Sequence, residues 1–158
     1  MFMKKMLGFL FLFSFLLTSC GKKDTSGCQP VPVSSERAGL IAYCNANGIV
    51  YTEHTTGLLY QIISPGSGQS VISSSQVSVV YSGKLFNGTT FDFSNNPTPF
   101  WSLTGLIDGW KIGIPLIKKG GQIKLIIPSA LAYSCTGNLP VIQPNAPLYF
   151  DITLSDVK

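Results

Sequence analysis

The chain has 158 residues, 45% of them hydrophobic and only 11% charged, with a formal net charge of +4. That length favours one compact domain with enough apolar side chains for a core. The 16 Gly and 10 Pro point to short strands and turns rather than long helices, and the lack of a Lys/Arg-rich stripe argues against nucleic acid as a partner.

Lys4 and Lys5 precede an apolar run over residues 6–17. The run has the length of a signal-peptide core and falls short of the roughly 20 residues of a spanning helix. Leu17-Thr18-Ser19-Cys20 follows. This tetrad resembles the bacterial lipobox, in which small residues precede a thiol that is lipidated and becomes the new N-terminus. Residues 1–19 are therefore read as a lipoprotein signal peptide and Cys20 as the lipid carrier; an ordinary signal peptide with a fortuitous cysteine is the competing reading. Gly21, where enteric inner-membrane lipoproteins carry aspartate, favours an outer-membrane address facing the periplasm over a surface-exposed one. Residues 20–35, with Pro30, Pro32 and several serines, read as a flexible tether. Once Lys4 and Lys5 are removed, basic residues exceed acidic ones by two.

With Cys20 carrying lipid, Cys28, Cys44 and Cys135 remain. Export permits a disulfide, and three thiols allow one pair and one leftover, but spacing does not choose the pair. His54 is the sole histidine, and no cysteines stand at metal-ligand spacing, so no metal site is expected.

Leu40, Ile41 and Cys44 fall at helical spacing, predicting a helix over 36–46 with Ser35 as its cap and Gly48 at its end. Residues 49–52 and 58–63 read as strands. Ser64-Pro65-Gly66-Ser67-Gly68 is a turn; it lacks the third glycine and the following helix of a dinucleotide loop. Residues 77–86 alternate, with Val77, Val79, Tyr81 and Leu85 on one face. Asn87-Gly88 is a hairpin signal, with both residues tolerating positive φ, and 89–93 is the return strand. Ile107, Trp110, Ile114 and Ile117 repeat at helical spacing, but Gly109, Gly113 and Pro115 weaken that helix. Residues 122–127 form a strand ended by Pro128. In 148–154, Leu148, Phe150, Ile152 and Leu154 point one way and Tyr149, Asp151 and Thr153 the other. The economical fold is α+β: a curved antiparallel sheet packed over one short helix, with a helix-and-strand extension before it.

Four segments in order carry a family resemblance. Val79-Val80-Tyr81-Ser82-Gly83-Lys84-Leu85 with Gly88 and Phe91-Asp92 is the first, and Leu106-Ile107 with Gly109-Trp110 and Gly113 the second. The stretch from Gly120 to Pro128 is the third; Ala132-Tyr133 and Leu148-Tyr149-Phe150-Asp151-Ile152 complete the set. Together they resemble the FKBP-type immunophilins. The resemblance runs from Gln76 to Val157, dividing the chain into an extension, 36–75, and an isomerase domain, 76–158. It implies a sheet half-wrapped around a single helix and a pocket for X-Pro segments. In that pocket Trp110 is the floor, and Tyr81, Phe91 and Phe150 are walls. Leu106 and Ile107 form the rim, with the Ile107 N–H offered to a substrate carbonyl. The Tyr133 hydroxyl is a second donor, and Asp92 orients polar groups near the Tyr81 hydroxyl. Val141 and Ile142 sit on a flap, and one further wall falls to Phe100 or Trp101. Tyr81, Asp92 and Tyr133 are thus the implied catalytic residues. Without the resemblance, Trp110, Phe91 and Phe150 read as ordinary core.

The chain departs from the pattern at Asn95-Asn96-Pro97, where a basic partner for the aspartate often stands, and at Asn138-Leu139-Pro140 on the flap. The implied activity is peptidyl-prolyl cis-trans isomerisation of exported proteins, without cofactor. Implied partners are proline-containing clients, macrolide inhibitors of the family and, through the lipid, a membrane; a monomer is expected. A catalytically weak chaperone or peptide-binding module on the same fold is the alternative, and a lipoprotein structural subunit a third reading. A hydrolase is disfavoured, since no nucleophile motif or carboxylate pair stands out.

Overall fold

The structure, a computed structural model, describes residues 27–158; the signal-peptide reading and Cys20 lie outside the described residues. Helix α1 spans Val33–Ala46, and strands β1 and β2 span Thr52–Glu53 and Leu59–Ser64. Strands β3 (Gln76–Leu85) and β4 (Thr90–Ser94) form a hairpin, followed by the short β5 (Trp101–Ser102). Helix α2 covers Asp108–Gly113, and β6 (Gln122–Ile127) and β7 (Leu148–Val157) complete the set. All pairings are antiparallel, in the order β1-β2-β6-β7-β3-β4, with β5 beside β3. The expected α+β class is the observed one.

Period-two alternation divides the sheet into two faces. On the front, Tyr81 and Gly83 of β3 pair with Ile152 and Phe150 of β7, which pair in turn with Ile123 and Leu125 of β6. Helix α2 lies on this face. Its glycines, poor helix formers in isolation, are needed for contact: a Cβ on Gly109 would stand 2.6 Å from Ile127, and one on Gly113 2.5 Å from Leu125. The α-helix stops at Gly113, and Pro115 falls in a following 3-10 turn, Ile114–Leu116. Proline disfavours helical geometry in the residue before it and lacks the N–H that would continue the ladder.

Helix α1 covers part of the back face, where its Leu40 and Cys44 pack with Ile49, Leu59 and Ile126 in a separate buried cluster, while Ser82, Lys84, Lys124, Asp151 and Thr153 stay half-buried. Helix α1 begins two residues before Ser35. Pro32 is its N-cap, with no side-chain cap, and the Ser35 hydroxyl donates to the Pro32 carbonyl at 2.7 Å. The apolar Ile49 and Tyr51, read as a strand, instead pack beneath α1, and strand pairing starts only at Thr52. Strand β2 pairs along β6, so part of the 36–75 extension is built into the main sheet.

Two further expectations change. In the β3–β4 turn only Gly88 takes a positive φ, 88°, and its N–H donates to the Leu85 carbonyl at 2.9 Å. This is a three-residue loop with a left-handed glycine, not a two-residue primed turn. The segment read as a tether is fastened from Cys28 onward: Cys28 and Cys135 form a disulfide across 107 residues, with Cα atoms 5.2 Å apart. Cys44 is the leftover thiol, fully buried.

Candidate functional site

The front of the sheet, α2 and the β6–β7 loop leave an open cleft of about 260 Å³. Trp110, on α2, and Phe150, on β7, are its most buried walls, each at 4% exposure. The Tyr81 and Phe150 rings stand edge-on to Trp110, with centroids 5.2 Å away and interplanar angles of 82° and 86°. Phe91 meets Phe150 edge to face at 5.5 Å. Such edge contacts are the favoured geometry of aromatic pairs. Gly83, between these walls, leaves room for the rings: a Cβ there would stand 2.7 Å from both Phe91 and Phe150.

Phe91 and Asp92 both line the cleft, although consecutive strand residues normally face opposite ways. A bulge resolves this. Gly83 pairs with Asp92 and Lys84 with Thr90, leaving Phe91 as the extra residue. Bulges re-aim side chains in this manner, often beside active sites.

Strand β5 supplies the remaining aromatic wall. Thr98 ties the β4–β5 connection to β3: its hydroxyl accepts from the Val79 N–H at 3.1 Å and its carbonyl from the Ser78 hydroxyl at 2.6 Å. Trp101 then pairs with Val77 and turns its indole into the cleft. Phe100, one residue earlier on extended chain, does not line the cleft; its ring lies beneath the Lys158 ammonium at 3.8 Å. Of the two alternatives for this wall, Trp101 lines the cleft and Phe100 does not.

The polar groups are few. The Tyr81 hydroxyl donates to Asp92 Oδ2 at 2.6 Å. Burial, reinforced by that carboxylate, pushes the Tyr81 phenol well above the usual tyrosine value, so it stays protonated and acts as a donor. Among the described residues Asp92 has no cation at ion-pair distance. The Trp110 indole N–H, the Ile107 N–H and the Tyr133 hydroxyl have no hydrogen-bond partner among the described residues. All three belong to residues lining the cleft, as does Leu106. Ile142 is buried at 2% and lines not this cleft but an adjoining cavity of about 210 Å³, with Val141, Phe91, Asp92 and Tyr133. Sequence reasoning left Trp101 as one of two alternatives and did not single out Gly105, whose lack of a side chain gives no chemical signal.

An apolar aromatic cleft with unused donors at its wall and rim can hold a planar ring and hydrogen-bond the carbonyls beside it. A family model described as FKBP-type peptidyl-prolyl cis-trans isomerase matches residues 68–155. The chain belongs to this family. Among FKBP relatives, the Escherichia coli (strain K12) isomerase FkpA is 47% identical over 107 residues, covering 66% of this chain and 39% of that protein. A probable FKBP-type isomerase of Haemophilus influenzae is 42% identical over 106 residues, covering 65% of this chain and 44% of its own length. The chain thus spans about two fifths of the length of these relatives. The crystal structure of Escherichia coli FkpA superposes with a TM-score of 0.69 and 38% identity, over 80% of this chain and 61% of that one. A Pseudomonas syringae peptidyl-prolyl isomerase structure gives 0.68 and 28%, over 82% and 98%. The FKBP match begins at residue 68, whereas the sheet already includes β2.

Proposed function

We propose that this FKBP-family chain is an active prolyl isomerase, with Tyr81, Asp92 and Tyr133 as its polar residues and Trp110 beneath the proline ring. One observation carries the reading: an apolar aromatic cleft in which the Ile107 N–H and the Tyr133 hydroxyl have no partner among the described residues. Rotation about an X-Pro bond is slow because amide resonance imposes a barrier of roughly 20 kcal/mol. Catalysis therefore needs a site that binds the twisted amide better than either planar form. Twisting breaks conjugation and makes the amide less dipolar, so apolar walls favour it over water. In this reading Trp110, Phe91, Trp101 and Phe150 hold the pyrrolidine ring, while the Ile107 N–H and Tyr133 hydroxyl fix the flanking carbonyls. Tyr81, protonated and bonded to Asp92, holds the carboxylate at the edge without delivering a base. No cofactor enters the step.

The experiment is cis-trans exchange spectroscopy on a panel of X-Pro peptides. Acceleration is expected, falling about fivefold or more in Tyr133→Phe, since a hydrogen bond made to the twisted amide contributes about 1 kcal/mol. No acceleration by folded protein sinks the reading. The exposed Phe93, Leu139 and Val141, at 60%, 63% and 46%, together with an aspartate lacking a cationic partner, favour a second reading: a client-binding module with little catalysis. That reading expects suppression of client aggregation without exchange. Proline-containing polypeptides are the proposed clients, and family macrolides proposed ligands of the same cleft.

We propose further that Cys20 carries lipid and holds a monomeric domain at the periplasmic side of the outer membrane. A disulfide fits an oxidising compartment. Incorporation of labelled fatty acid that survives Cys20→Ala would refute the anchor.

A further inference from the structure

The β6–β7 loop carries Tyr133 to the cleft, yet it is mostly short turns. Its internal bonds are all short-range, among them the Leu131 N–H to the Pro128 carbonyl and the Ala132 N–H to the Ser129 carbonyl, both at 2.9 Å, the Gly137 N–H and the Thr136 hydroxyl to the Tyr133 carbonyl at 3.1 and 2.7 Å, the Asn145 N–H to the Ser134 carbonyl at 2.8 Å, and a bridge between Asn138 and Ile142. Three ties reach it from one segment, residues 28–36. Glu36 Oε2 accepts both the Ser129 N–H at 2.9 Å and the Ser129 hydroxyl at 3.1 Å. Cys28 is bonded to Cys135. The Val31 N–H reaches Asn145 Oδ1 at 3.4 Å.

These ties bracket Tyr133, four residues after Ser129 and two before Cys135. Ser129 is fully buried, and its two donors converge on a single carboxylate oxygen, so removing Glu36 strands both. Burial pushes the Glu36 carboxyl above its ordinary value against the pull of the Ser129 bonds, as for a group drawn out of water by its partner. The base of the clamp is firm, because the same helix buries Leu40 and Cys44 on the back of the sheet. The Tyr133 hydroxyl has no side-chain or backbone partner among the described residues, so backbone placement and the packing of its ring against the core aim it.

We propose that residues 28–36 form a clamp that holds the Tyr133 loop in register with the cleft, with Glu36 as a positioning residue and the Cys28–Cys135 bond as its second jaw. The proposal rests on the isomerase reading for its effect on rate but not for its effect on the loop. In it, the pre-sheet segment is a working part of the pocket, supplied from behind the sheet that carries the walls.

The test uses the full chain, wild type beside Glu36→Ala, Glu36→Gln and the paired Cys28→Ser/Cys135→Ser variant, read by hydrogen exchange and by peptide exchange spectroscopy. Amides over 129–145 are expected to exchange faster in Glu36→Ala and in the paired serine variant, while those of β3 and β7 do not change. The kcat/KM is expected to fall by up to about fivefold in Glu36→Ala, approaching the Tyr133→Phe value, at unchanged folded fraction, as misplacing the hydroxyl forfeits the hydrogen bond that its deletion removes. Glu36→Gln, which keeps an acceptor for both Ser129 donors, is expected to restore loop protection and rate together. Loop exchange unchanged in both disruptive variants overturns the clamp. So does faster loop exchange with kcat/KM intact. If the wild type shows no isomerase activity but the loop loosens as described, the isomerase reading fails while the clamp stands as the support of a binding loop.

Discussion

The two faces of the sheet use similar side chains for opposite ends. On the back, α1 closes over Leu59 and Ile126, and Tyr43 stacks on Phe86 with centroids 4.0 Å apart, nearly parallel. On the front, the rings of Trp110, Tyr81, Phe91 and Phe150 meet edge-on around a cleft that remains open. Helix α1 is 14 residues long, whereas α2 is 6 and yields to a proline-bearing turn. The front face is nonetheless the better buried of the two, with Trp110 and Phe150 each at 4% exposure, and the cleft is a local gap in that packing. Aromatic content alone therefore does not mark the site; an open aromatic cleft with unused donors does.

The sharpest test of the contrast cuts a large side chain from each face. Trp110→Ala is expected to cost about 3–5 kcal/mol of stability and to abolish measurable peptide exchange in the protein that remains folded. Leu59→Ala, fully buried on the back, is expected to cost about 2–5 kcal/mol with kcat/KM of the folded fraction preserved. Urea unfolding beside exchange spectroscopy separates the two. A Leu59 variant with impaired turnover at intact folded fraction would show that the faces are coupled. A smaller effect is expected from Gly83→Ala, whose new methyl group would press on Phe91 and Phe150. Overpacking of this kind costs about 1–3 kcal/mol, and here it should raise KM for peptides more than it lowers the melting temperature.

The strands were legible because their alternation is clean: Val77, Val79 and Tyr81 on β3 and Leu148, Phe150 and Ile152 on β7 face the core as their spacing says. Helix α2 was legible only in part, since the packing partners that make Gly109 and Gly113 useful lie on a strand later in the chain. The cleft residues were read through family motifs, and local pattern could not have supplied them. A strand periodicity sends Phe91 and Asp92 to opposite faces; the bulge that brings them together depends on the register with β3. The choice of Trp101 over Phe100 likewise hangs on the Thr98 tie to β3. Nor could spacing choose Cys135 for Cys28, because their meeting depends on where the loop turns over the end of α1.

The smallest expected effect is alkaline and touches both faces. Burial raises the phenols of Tyr81 at the front and Tyr149 at the back above the ordinary tyrosine range. A raised folded value means stability that is whole below the unfolded tyrosine value near about 10 and is lost as pH climbs beyond it. The melting temperature should therefore decline above about pH 10, and Tyr149→Phe should soften that decline without altering peptide exchange at neutral pH.

Strand β7 is the last element described, yet it occupies the middle of the sheet, hydrogen-bonded to β6 on one side and β3 on the other. During synthesis, the half bearing β1, β2 and β6 and the half bearing β3, β4 and β5 have no strand in common until it arrives. The pairings that join the two halves thus await the ten residues of β7, and non-local pairing of this kind is slow. A growing chain cut short before Leu148 lacks the Phe150 wall and any keystone to draw the other walls together.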